Sequence, residues 1–163
     1  MNPRYVTEEL EAANPAPGRL EEALALVWRV FLAFEAPGYC EAGVEEFRRY
    51  IAPEDMRRRL AEGSLRMWVC RDGDAVAGVL AARPGSPVHI SLLFVDGQYH
   101  RQGIARALLE RMAAIYRARG ERGEITVNSS PYAVEAYRRL GFADTGPERT
   151  VNGIRFVPMK KGM

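Results

Sequence analysis

Three places in this chain carry side chains whose type and spacing suit chemistry. The first is the loop His100-Arg101-Gln102-Gly103-Ile104-Ala105-Arg106, where a strand-like run empties through a glycine into a helical pattern. Free backbone N–H groups at such a helix N-terminus, with the positive end of the dipole behind them, suit a phosphate. Ala105 permits close approach to the backbone, and Arg101 and Arg106 add charge-assisted donors. A lone glycine before a helix also serves simply to form a tight turn, so spacing by itself leaves both readings open. The second place is the run Ser129 to Phe142, whose Ala133–Leu140 face carries one phenol, Tyr137. It packs inward or acts as an acid. The third is His89, a side chain that titrates near neutrality, at the start of an apolar run.

The elements that position these residues follow from periodicity. Leu20, Ala23, Leu24, Val27, Val30, Phe31 and Phe34 recur at three- and four-residue steps, which predicts one amphipathic helix from Arg19 to Glu35, stopped by Pro37-Gly38. Helices follow at Ala42–Tyr50 and Glu54–Ala61. A short edge strand is expected at Arg4–Val6, before turn residues that include Asn14 and Pro15. The period then changes to that of strands: Leu65–Arg71, an Asp72-Gly73 turn, Asp74–Arg83, and Val88–Val95 form an antiparallel meander. A helix over Gly103–Arg119 and a strand over Glu124–Asn128 come next. Ser130 caps a helix that Pro131 opens and Gly141 ends. Two strand-like pieces around Asn152-Gly153 close the chain. The strands before and after the long helix are joined by a crossover, which implies a parallel pair at mid-sheet and a crevice at its carboxyl ends. The fold class is therefore α/β of mixed α+β type, a mostly antiparallel sheet with one parallel pair and helices on both faces.

The 163 residues suit one domain spanning 1–163, with 47% hydrophobic residues and scattered charge. Its 23 basic and 21 acidic residues leave a net +2, too little for a nucleic-acid surface; Arg57-Arg58-Arg59 reads as a solvated helix face. Cys40 and Cys70, with only two histidines, make neither a disulfide framework nor a metal site. The N-terminus lacks the apolar core of a signal peptide, and the most apolar run, Ala23 to Phe34, is interrupted by Arg29 and too short for a bilayer. The expected location is the cytoplasm.

YHRQGIARALLE resembles the acetyl-CoA pyrophosphate loop of the GNAT (Gcn5-related N-acetyltransferase) superfamily, Gln/Arg-x-x-Gly-x-Gly/Ala, with Gly103 and Ala105 in register and His100 in place of Gln or Arg. VNSSPYAVEAYRRLGF resembles the family's second motif: Ala133, Tyr137, Gly141 and Phe142 match, and Ser130 stands at the Asn position. The resemblance implies acetyl-CoA as donor and direct transfer to an amine in a ternary complex. It assigns cofactor binding to His100, Arg101, Gln102, Gly103, Ile104, Ala105 and Arg106, to Asn128 and Ser130, and to the strand backbone of Leu93, Phe94 and Val95, which would pair with pantetheine as an added strand.

Under the same resemblance Tyr137 is the acid that protonates the leaving thiolate, a group of pKa near ~8.5. An amine acceptor arrives mainly as ammonium, pKa ~10.4 for a lysine, and needs a base. Relatives with a strand glutamate would carry it where this chain has Ile125, so His89 and Glu35 remain as bases, with His89 preferred. The acceptor, a small-molecule or protein amine, is expected against Phe31 to Tyr50, where Phe31, Phe34, Tyr39 and Tyr50 are candidates for a partly aromatic wall and the two phenylalanines read better as core. Homodimerisation through the last hairpin is left open, with no residue to specify it. A CoA-binding regulatory domain that has lost turnover is the rival reading, favoured by the departures at His100 and Ser130.

Overall fold

The computed structural model describes residues 3–11 and 16–163; the Asn14-Pro15 turn lies outside them. The first strand, β1 (Tyr5–Glu9), is longer than the Arg4–Val6 piece expected, because all five residues pair antiparallel with β2 (Arg66–Asp72). A buried Arg71 ties this edge down, donating to Glu8 on β1 and to Glu22 on the first helix. β2 returns as β3 (Ala75–Arg83) and β3 as β4 (Val88–Val95), the meander read from the turn residues.

The first helix departs from the single helix expected to Glu35. α1 (Arg19–Val30) gives way to a π turn over Phe31–Glu35, in which the Ala36 N–H donates to the Phe31 carbonyl, and then to a 3-10 turn over Ala36–Gly38. The wider turn carries Phe34 and Glu35 off the buried stripe; π turns of this kind are frequent at functional sites. α2 (Glu41–Tyr50) and α3 (Pro53–Glu62) follow. The Arg57-Arg58-Arg59 run lies on α3, where Arg57 pairs with Glu21, Arg58 with Asp55, and Arg59 sits over the Tyr50 ring.

β4 leads through a short 3-10 turn at Gly97–Tyr99 into α4 (Ile104–Ala118), then β5 (Glu124–Ser129), a 3-10 turn at Pro131–Ala133, and α5 (Val134–Arg139). A two-residue strand, β6 (Ala143–Asp144), precedes the hairpin β7 (Arg149–Val151) and β8 (Ile154–Gly162). The sheet runs β1-β2-β3-β4-β5-β8-β6, with β7 on β8, and every neighbouring pair is antiparallel except β4–β5. This is the mixed, mostly antiparallel sheet expected, with one parallel pair.

Helices cover both faces. Ile104, Leu108 and Met112 of α4 pack with Trp68, Leu80 and Ile90 on one face, where Tyr137 and Phe142 join them. On the other, Leu20, Leu24 and Val27 of α1 and Met56 and Leu60 of α3 pack with Met67, Val79 and Leu92. Each such fully buried aliphatic side chain contributes about 1.5–3 kcal/mol of transfer free energy. Among the described residues no helix is long and apolar enough to cross a membrane.

The feature that matters for function lies at mid-sheet. β4 and β5 pair only through Val88–Ile125, His89–Thr126 and Ile90–Val127. Beyond Ile90 the register of β4 against β3 slips by one residue at Ser91. One extra residue reverses the sense of the pleat. Val88 and Ile90 therefore face α4, whereas Leu92 and Phe94 face α1. From that bulge on, β4 leans away from β5, and the edge of Leu93–Val95 nearer β5 is left without a strand partner.

Candidate active site

The β4–α4 loop forms a cradle. Gly103 is left-handed at φ 80° and Arg101 at φ 62°, and Gly103 caps α4 with no side-chain bond to its N–H groups. The first helical bond is Ala107 N–H to the Gly103 carbonyl, 2.9 Å, so the amides just before it are those a helix leaves without an internal partner. A Cβ placed on Gly103 would meet nothing within 4 Å; the cradle faces open space. The side chains are less uniform than the sequence pattern implies. Arg101 is exposed, but Arg106 donates to the Arg139 carbonyl of α5 at 3.1 Å. Gln102 accepts from the Tyr5 hydroxyl and donates to the Gln98 carbonyl at 3.3 Å, which anchors the loop to β1. Ile104 is buried against the sheet, so only its backbone is free to serve a ligand, and Ala105 is half-buried beside it. His100 donates from Nε2 to the Val95 carbonyl, 2.9 Å, joining the loop to the end of β4.

Across the splay, Tyr137 on α5 is buried, edge-on to Phe142 at 5.3 Å between ring centroids. Burial raises its phenol well above the usual value, and the nearby Glu35 carboxylate adds to the rise. Ser130 accepts from the Ala133 N–H at 3.3 Å, the expected cap, while its hydroxyl donates to Glu35 and holds that carboxyl down against a larger rise caused by burial. Asn128 is exposed on β5, opposite Pro158 of β8. His89 sits at the closed end of the pair, bonded through Nδ1 to Thr126 Oγ1 at 2.8 Å. Burial and then the Arg83 charge push it down to about 4, so it is neutral near pH 7. The structure therefore brings Tyr137, Ser130 and Glu35 together at the open end, and His89 stands apart from them at the closed end.

The aromatic wall is rearranged relative to the expectation. Phe31 is fully buried, stacked on Phe47 at 4.0 Å and on Tyr39 at 5.7 Å, and Tyr50 lies beneath Arg59 of α3. Neither ring belongs to an exposed wall. Phe34 instead crosses the mouth of the splay, stacked on Tyr132 at 5.5 Å and tilted against His100 at 5.2 Å.

Close backbone approaches, invisible in the linear pattern, set this geometry. A Cβ on Gly78 of β3 would lie 2.8 Å from Ile104 Cγ2, so this glycine lets the first turn of α4 settle on the sheet. Gly43 on α2 and Gly153 in the β7–β8 turn meet backbone to backbone; a Cβ on Gly153 would fall 2.6 Å from the Gly43 nitrogen. Phe34 rests on Gly97, where a Cβ would come within 3.2 Å of its ring. Tyr5, which holds Gln102, carried no signal beyond its aromatic type.

A family model described as an acetyltransferase (GNAT) domain matches residues 35–163. No curated protein matches the chain. Among solved structures, the PaiA N-acetyltransferase of Thermoplasma acidophilum, in complex with coenzyme A, is 15% identical with a TM-score of 0.77, over 97% of this chain and 99% of that one. A GCN5-related N-acetyltransferase from Rhodopseudomonas palustris is 16% identical with a TM-score of 0.70, over 97% and 95%. An aminoglycoside 6′-N-acetyltransferase complexed with coenzyme A is 15% identical with a TM-score of 0.64, over 96% of each chain.

Proposed function

The chain belongs to the GNAT acetyltransferase family, and from that premise we propose that it moves an acetyl group from acetyl-CoA to a primary amine, with both substrates bound at once. The observation that carries this reading is the opened β4–β5 pair, with the uncapped Gly103 cradle following one strand and Tyr137 following the other. The residues present fit the cofactor. The cradle amides face open space in which a Cβ on Gly103 would meet no neighbour, and such donors at a helix N-terminus suit a diphosphate. Two relatives of this fold were crystallised with coenzyme A.

In this reading the N–H groups of Gly103 to Arg106, with the Arg101 guanidinium, hold the diphosphate. The open edge of Leu93, Phe94 and Val95 pairs with the pantetheine amides. The side chains of Gln102 and Arg106 set the cradle in place, through Tyr5 and the Arg139 carbonyl. His100, Asn128 and Ser130 flank the same crevice. Bound acetyl-CoA supplies a thioester whose carbonyl carbon takes the amine nitrogen. Tyr137 keeps its proton throughout the neutral range, since burial and Glu35 both raise the phenol, and it gives that proton at its hydroxyl to the departing sulfur. A cytoplasmic setting accords with two free cysteines, Cys40 and Cys70.

Calorimetry with coenzyme A and a Tyr137→Phe variant tests the assignment. The wild-type protein is expected to bind coenzyme A with a Kd on the order of micromolar, about −8 kcal/mol. The variant is expected to keep that affinity and lose roughly 10²-fold or more in kcat, the usual scale of one acid. No heat of binding at ~1 mM, a Kd equivalent to about −4 kcal/mol, would sink the transferase reading; undiminished turnover would remove Tyr137 as the acid.

A further inference from the structure

Among the described residues Glu35 has no ion-pair partner. It ends the π turn at the mouth of the splay, and its partner is the Ser130 hydroxyl across the crevice, not a lysine or arginine. Glu45 and Glu46 on α2 pair with Arg48 and Arg49, and Glu148, beside Tyr39, pairs with Arg155. A half-buried carboxylate without a counter-ion is costly, and such a group in a crevice is a candidate for a functional role. The surroundings are apolar. Phe34 lies beside it in sequence and stacks on Tyr132. Tyr132 is 56% exposed, and Leu32 of the same π turn 44% exposed; they are two of the four large hydrophobic side chains most open to solvent among the described residues.

We propose that Glu35 seats and deprotonates the acceptor's ammonium, and that the acceptor is a primary amine on an aromatic body, of the arylalkylamine class. This rests on the transferase reading above and adds to it the base and the substrate class. Glu35 at the open end lies within electrostatic reach of Tyr137, whereas His89 is held by Thr126 at the closed end. The ammonium gives one proton to Glu35, which passes it to solvent. The C–N bond forms as the C–S bond breaks, and the nitrogen loses its second proton to solvent. Tyr137 protonates the sulfur and regains a proton from solvent, so one proton is released overall. Phe34 and Tyr132 contact the acceptor's ring. A carboxylate on the acceptor would meet Glu35 with like charge.

The pair 2-phenylethylamine and phenylalanine isolates the carboxylate, and spermidine tests the apolar body. With acetyl-CoA, 2-phenylethylamine is expected to exceed both others by about tenfold or more in kcat/KM, the scale of one charged hydrogen bond. Glu35→Gln is expected to weaken 2-phenylethylamine binding to the coenzyme A complex by a similar factor. It should also abolish the acid limb of the pH profile and leave coenzyme A affinity unchanged. The groups facing Glu35 are Ser130, Tyr137 and Tyr39, with Arg155 and Glu148 beside Tyr39 and His100 beyond Phe34. Ser130→Ala keeps the carboxylate but removes the bond that holds its pKa down, so the limb should move to higher pH. Equal use of phenylalanine or spermidine, or unchanged amine affinity in Glu35→Gln, would overturn the inference. Failure of the wild-type protein to bind coenzyme A would overturn the transferase reading instead.

Discussion

Replacing Gly43 by alanine asks whether the acceptor side is built from two backbones in contact. In an exposed helix the exchange would stabilise, since alanine is favoured over glycine by roughly 0.5–1 kcal/mol. Here the new Cβ would fall on the Gly153 carbonyl, 2.8 Å from its carbon, with Tyr39 Cβ at 3.4 Å. Ordinary carbon contacts lie at ~3.5–4.0 Å, and no rotamer change relieves a clash with backbone. The start of α2 and the turn of the β7–β8 hairpin must part by on the order of 1 Å, the geometry of an overpacked core, which costs about 1–3 kcal/mol. Taking about 2 kcal/mol net and ~2–4 °C per kcal/mol for a chain of this size gives a Tm lower by about 4–8 °C. Differential scanning calorimetry reads that shift. Coenzyme A affinity should stay within about twofold, because the Gly103 cradle shares no element with this contact, while the amine KM rises. A Tm equal to or above that of the parent protein would refute the reasoning, for helix propensity would then have outweighed the contact.

Two further substitutions probe the remaining supports. Gly78→Val puts side-chain bulk where even a Cβ reaches within 2.8 Å of Ile104 and 3.1 Å of Leu108; by lifting the first turn of α4 it should weaken coenzyme A by about tenfold, the worth of one charge-assisted hydrogen bond, and isothermal titration giving the parental Kd would remove Gly78 from the cradle's support. His89 has a folded pKa of about 4, below the unfolded value near ~6.5. Between those values the unfolded chain binds more protons, so stability is full above about pH 6.5 and falls as pH drops toward 4. Urea midpoints measured across that window should decline on acidification, and His89→Gln should flatten the decline; an identical slope in the variant would show that other groups carry it.

The general shape was legible because its signals are local. Asp72-Gly73 and Asn152-Gly153 specify hairpin turns from adjacent residues, and the structure places both. The apolar stripe of α4 and the cap at Ser130 likewise need only a few neighbours. What escaped depends on contacts distant in sequence. FLAFE keeps the same three- and four-residue spacing whether its turn is α or π, so the widening at Phe31–Glu35 left no mark in the pattern. The bulge at Ser91 hides within an apolar run that alternates poorly on either side of it, so the change of face between Ile90 and Leu92 had no visible period. Gly43 and Gly78 read as ordinary glycines in a helix and a strand; their purpose appears only once Gly153 and Ile104 arrive opposite them. The candidate base followed the same rule. His89 and Glu35 are both legible by residue type, but only the structure shows that the strand places His89 at the closed end and that Glu35 takes its position from the π turn.

The two ionisable groups at the open end bear on each other in a way that gives the proposed steps an order. With Glu35 ionised, its charge helps keep the Tyr137 phenol high, so the proton stays on Tyr137 while the acceptor is still an ammonium. Once Glu35 takes the amine's proton, that repulsion disappears and Tyr137 becomes a somewhat stronger acid than before, with burial still the larger influence on the phenol. Transfer from a phenol to a free thiolate of pKa near ~8.5 is thereby made less unfavourable. The electrostatics thus favour proton removal from nitrogen before proton delivery to sulfur, and no mobile element is needed to enforce that order. Burial makes Glu35 a stronger base than a free carboxylate, and the Ser130 bond limits that rise. One hydroxyl between α5 and the π turn thereby couples the acceptor side of the crevice to its thiol side.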